Sequence, residues 1–82
     1  MSCEKYFEVA VYRGTWPHVQ EAIECTRVYD DHDAVAVRLM QDAMAHYRCE
    51  ADAEGDTPGV FVVVYSGVEG VVGRDVRYVG MI

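Results

Sequence analysis

Residues 27–50 read RVYDDHDAVAVRLMQDAMAHYRCE, and the hydrophobic period changes inside them. That change decides the fold. From Asp33 onward, Ala36, Leu39, Met40, Ala43, Met44 and Tyr47 recur three and four residues apart, which is one apolar stripe of an α-helix. Arg38, Gln41, Asp42, Ala45, Arg48 and Cys49 lie mostly away from it, with Arg38 and Asp42 spaced to pair one turn apart. Ahead of the stripe stand Asp30, Asp31, His32 and Asp33. An aspartate before a helix accepts hydrogen bonds from the free backbone N–H groups of the first turn. Asp30 and Asp33 also have the spacing of a capping box. Carboxylates here meet the positive end of the helix dipole, each interaction stabilising by roughly 0.3–1 kcal/mol. The helix is expected to fade in CEADAEG, with Gly55 as its stop.

Upstream, the period is two. In KYFEVAVYRG (residues 5–14), Phe7, Val9 and Val11 point one way, and Tyr6, Glu8, Ala10 and Tyr12 the other. RGTWP, with Gly14 and Pro17, is a turn. HVQEAIECTRVY (18–29) is a second, more polar strand, with Val19, Glu21, Ile23, Cys25, Arg27 and Tyr29 on one side. Its polarity suits an edge, and the short connection suits an antiparallel hairpin. Downstream, EADAEGDTPG is an acidic loop. VFVVVYSG (60–67) is apolar on both sides, as a central strand is. VVGRDVRYVGMI (71–82) closes the chain, with Val72, Val76 and Tyr78 near one face and Gly73 and Gly80 marking bulges or close approaches. The expected architecture is α+β: ββαββ, a four-stranded antiparallel sheet with one helix packed on one face. The 82 residues suit a single domain, 1–82.

One helix covers one side of such a sheet. The other side carries Tyr6, Tyr12, Phe61 and Tyr65, a candidate apolar interface for a protein partner or a second copy. Tyrosines on a sheet can also stack bases, so a small single-stranded nucleic-acid-binding module is a further reading. The formal net charge of −7, from 14 acids against 7 bases, opposes it, because phosphate contacts need clustered Lys and Arg. The same charge favours a partner with a basic surface.

Chemistry is sparse. Counted from Asp31 as a calcium loop, the sixth residue is Ala36 where Gly is needed, and the twelfth is Asp42 where Glu is needed. His46 and Cys49 lie three apart, but no CxxC accompanies them, so no zinc set assembles. Ser2 and Ser66 sit outside any nucleophile-elbow pattern, and SGVEGVVG lies between strands without a lysine. Neither a catalytic residue, a metal site nor a cofactor is expected, and the protein reads as a non-enzyme. Three widely spaced cysteines, Cys3, Cys25 and Cys49, and an N-terminus without a basic-then-apolar leader point to a reducing cytoplasm. The run VFVVVY is too short to cross a membrane.

In build, FEVAVY…EAIECTRVYDDHDAVAVRLMQDA resembles the small, acidic, single-domain anti-CRISPR inhibitors encoded by phages: strand, strand, then an acid-capped helix packed back on the sheet. The resemblance covers most of the chain in architecture and charge, and no motif carries a functional residue across. It implies binding to a CRISPR effector, with carboxylates set against the lysines and arginines that hold target DNA. The carboxylates at the two ends of the helix are then the candidates: Asp30, Asp31 and Asp33 at one end, and Glu50, Asp52, Glu54 and Asp56 at the other.

Overall fold

A computed structural model of the chain describes residues 4–54 and 59–82, and side chains over 4–48 and 59–82. Its elements are β1 (Lys5–Thr15), β2 (His18–Val28), α1 (Asp33–Glu54), β3 (Val60–Val68) and β4 (Asp75–Met81). The strands form one antiparallel sheet in the order β2-β1-β3-β4. The expected ββαββ architecture is therefore present. The two most apolar strands take the centre, where both faces are covered, and the polar β2 takes an edge. The link from β2 through α1 to β3 passes over β1.

Alternation in β1 and β3 divides the sheet as the sequence suggests. Phe7, Val9, Val11, Val60, Val62 and Val64 face the helix and pack with Ala36, Met40 and Tyr47, joined by Val35, Leu39, Ala43, Met44 and Tyr78. The helical stripe is as expected, with Val35 added. Gly80 of β4 lies under the thioethers of Met40 and Met44, where a Cβ would overlap them, so it is a close approach and not a bulge.

Three details differ from the sequence reading. First, two register shifts fall in β2. Glu21 pairs with Arg13 on the helix side, whereas Cys25 and Arg27 pair with Ala10 and Glu8 on the opposite side, so Glu21 and Cys25 do not share a face. Gly14, at the second shift, has φ 131°, where a side chain is strained, and its N–H donates to the Gly59 carbonyl at 2.7 Å. Second, β4 starts at Asp75. Val71 and Val72 are exposed in the preceding turn. A shift at Arg77 puts Val76 opposite Tyr65 and Tyr78 opposite Val64, hence on opposite faces. Third, α1 continues through Glu54. Residues 50, 52 and 54 thus belong to its last turns and not to a loop.

Candidate functional site

The residues singled out in the sequence fall into two regions: the start and end of α1, and the sheet face without a helix. At the start of α1, each aspartate has a different job. Asp30 Oδ1 accepts the His32 backbone N–H at 2.8 Å and lies 2.9 Å from its ring Nδ1. Asp31 Oδ1 lies 3.4 Å from the same nitrogen. Asp33 does not close a capping box. Its Oδ1 receives Arg77 at 3.1 Å and its Oδ2 receives the Tyr78 hydroxyl at 2.9 Å, so it fastens the helix start to β4. Asp30 caps the turn before the helix, because its short side chain reaches a backbone N–H two residues on.

These bonds shift the ionisation of the groups involved. The bonds from His32 hold Asp30 below the usual aspartate range, and the Asp30 carboxylate raises the His32 imidazole above its ordinary value. The bond to Asp33 raises the Tyr78 phenol. Asp30, Asp31 and His32 could offer three ligand atoms within 4.8 Å of one another, but the imidazole nitrogen on that side already bonds Asp30. Beside them, Asp30, Asp31, Asp75, Lys5 and Arg77 line a cleft of about 270 Å³ of mixed charge.

At the far end of α1, Glu50, Asp52 and Glu54 sit on the helix backbone, with no base in the last turn; their side chains, and Asp56 altogether, lie outside the described residues. In the described part of the helix no ion pair joins Arg38 to Asp42.

The helix-free face is not the open patch that alternation suggests. Tyr6 is 6% exposed and Phe61 is fully buried, with Ala10 and Val63 also buried; Tyr12 and Tyr65 are half-buried. The cover comes from the face itself. Register sets Ala10 beside Val63, with Tyr12 beside Phe61 on one side and Glu8 beside Tyr65 on the other. The Tyr12 and Tyr65 hydroxyls meet at 3.2 Å across the Ala10–Val63 row. Burial and this bond push the Tyr12 phenol far up. Trp16 stands edge-on to Phe61 at 5.9 Å, and Tyr12 packs on it at 5.3 Å.

Two arginines complete the cover. The Arg27 guanidinium lies 4.0 Å over the Tyr6 ring and Arg74 lies 3.9 Å over Tyr65. Between them is Glu8, 6% exposed. Arg27 binds its Oε1 at 3.3 Å and Arg74 binds its Oε2. Arg27 also reaches Glu69 in the β3–β4 turn at 3.4 Å, where the Tyr29 hydroxyl donates at 2.8 Å. Sequence reasoning missed this Arg–Glu–Arg arrangement. A usable signal was present: Glu8 alternates in phase with two tyrosines on a strand otherwise apolar, and a buried acid requires cationic partners.

Ser66 is half-buried within β3, and Cys25 is a free thiol exposed on β2. Among the described residues no helix is long and apolar enough to cross a membrane. No family model matches this chain, and comparison with curated proteins and with solved structures found no match.

Proposed function

We propose that this chain is a non-enzymatic binding protein that docks its carboxylates on a basic surface of a protein partner and so inhibits a nucleic-acid-handling complex. A CRISPR effector is the most specific partner of that kind, with a phage or other mobile element as the source and the host cytoplasm as the setting. The observation that carries this reading is the partition of charge. Four of the seven bases are tied to carboxylates within the fold: Arg13 to Glu21, Arg27 and Arg74 to Glu8, and Arg77 to Asp33. Half of that cation content is laid over tyrosine rings. Asp31 is more than half exposed, and the last turn of α1 carries no base beside its acids. Fixed carboxylates of this kind accept bidentate arginine bonds and steer association with a basic groove.

The same arrangement disfavours the nucleic-acid module. A base that stacked on Tyr6 or Tyr65 would have to displace a guanidinium already held by Glu8. A second reading, self-association, has one observation in its favour: Val76, Val79 and Met81 of the edge strand β4 remain exposed on the helix-free side.

The test is binding to purified CRISPR effector–guide complexes across a salt series, with DNA as competitor. Binding that weakens steeply with salt, and that DNA and the protein contest, is the expected result. Asp31→Asn combined with Glu50→Gln, Asp52→Asn and Glu54→Gln should weaken it while the fold persists. Salt-independent dimerisation with no effector binding would sink the inhibitor reading in favour of self-association.

A further inference from the structure

The helix packs chiefly on β3, β4 and β1, which leaves the β2 side of the helix-bearing face uncovered. Between α1 and β2 runs a groove of about 310 Å³. Its floor is Val9 and Val11, its helix wall is Leu39 and Ala43, and Glu24 and Asp42 stand on its two sides. Tyr47 reaches from the helix to Glu24 and donates its hydroxyl to Oε2, which holds that carboxylate in place. Asp42 has no ion pair among the described residues. We propose that this groove receives a single arginine or lysine side chain from the protein partner, its methylenes lying on the valines and leucine and its charged head between Glu24 and Asp42.

The reasoning is chemical complementarity. An apolar trough flanked by two carboxylates matches a side chain that has an apolar stem and a cationic tip. A neutral apolar side chain would leave Asp42 unpaired and the Glu24 charge without a counter-ion, and a free acid would be repelled. Arginine fits best, because its planar fork can bond both acids at once and is weakly hydrated. This inference rests on the basic-partner reading and adds to it a place: the contact is centred on the middle of α1 and on β2, not only on the helix ends.

The experiment is an amide and methyl NMR titration of the labelled chain at low salt. The probe is acetyl-Gly-Ser-Arg-Ser-Gly-amide, with the citrulline peptide as a neutral isostere. Shifts should gather on Val9, Val11, Leu39 and Ala43 with the arginine peptide. Affinity should fall about tenfold with citrulline or in the Glu24→Gln, Asp42→Asn double variant. Glutamine still accepts the Tyr47 hydroxyl, and an unchanged melting curve for the variant verifies that its fold is kept. Shifts confined to the helix ends would overturn the groove and leave the basic-partner reading standing. Equal binding of the citrulline peptide would overturn the charge recognition. No shift anywhere would overturn both.

Discussion

Glu8 is buried opposite Tyr65, with Arg27 and Arg74 at its two carboxylate oxygens. A carboxylate in that setting is tolerated only because two guanidinium groups meet its two oxygens. Removing the charge leaves Arg74 over its aromatic ring without a counter-ion among the described residues, and leaves Arg27 with only Glu69, which is more than half exposed. Glu8→Gln should therefore destabilise the chain by about 2 kcal/mol, less than a fully buried pair would lose, because both arginines keep solvent contact. Chemical denaturation measures this, and an unchanged midpoint would mean that the pairs contribute nothing net. His32 offers a second test at the same scale. Its imidazole is raised by Asp30, and Asp30 is lowered by His32. The histidine contribution is full below the ordinary His value of about 6.5 and is lost as pH rises through the raised folded value. The Asp30 contribution is full above the unfolded aspartate value and is lost as pH falls through the lowered one. An NMR titration should place His32 above free histidine, and Asp30→Asn should bring it back down. A His32 midpoint that ignores Asp30 would rule out the contact.

In the element α1, the two ends are loaded with the same sign of charge. Acids suit the N-terminus, where Asp33 also ties the helix to β4 through Arg77 and Tyr78. They do not suit the C-terminus, where no base stands in the last turn and the dipole is negative. Replacing Glu50, Asp52 and Glu54 by their amides should raise stability, by roughly 0.3–1 kcal/mol for each charge removed. Circular dichroism melting reads the change. A fall in melting temperature would show that these acids make stabilising contacts of their own. If the same variant binds a basic partner less well, stability and binding move in opposite directions, which a purely structural role would not produce. The existence of α1 was legible because six apolar residues at helical spacing outweigh local ambiguity. Its stop at Gly55 agrees with the last helical residue, Glu54; the reading of residues 50–54 as loop fails, because the acids and alanines of CEADAE are helix-compatible.

At the scale of the whole molecule, the sheet separates two hydrophobic clusters. One is the helix-side core built on Met40, Ala36 and the β1 and β3 valines. The other is the aromatic layer on the opposite face, built on Phe61, Tyr12, Tyr65, Trp16 and Tyr6. Both should matter to stability. Met40→Asp puts a charge in the first and should abolish cooperative folding. Phe61→Ala empties the second, whose central ring is fully buried, and should cost about 3–5 kcal/mol. A Phe61→Ala loss below about 1 kcal/mol, the level of a mild surface change, would show that the aromatic layer is a surface and not a core.

The sequence by itself determined the element types, their order and which residues of β1, β3 and α1 turn toward one another, because periods of two and of three to four are local consequences of strand and helix geometry. It also determined the sign of the surface charge. Strand order, the two slips in β2 and the shift at Arg77 were decided by pairing between distant segments, to which the local period is blind. So was the fate of the helix-free face. Alternation placed Tyr6, Glu8, Tyr12 and Phe61 on one side, but Arg27 and Arg74 come from the two edge regions of the sheet, nineteen residues after Glu8 and nine after Tyr65. Only the folded register brings their guanidinium groups over the tyrosine rings and onto one carboxylate, and burial of a charge depends on the partners that meet it in space.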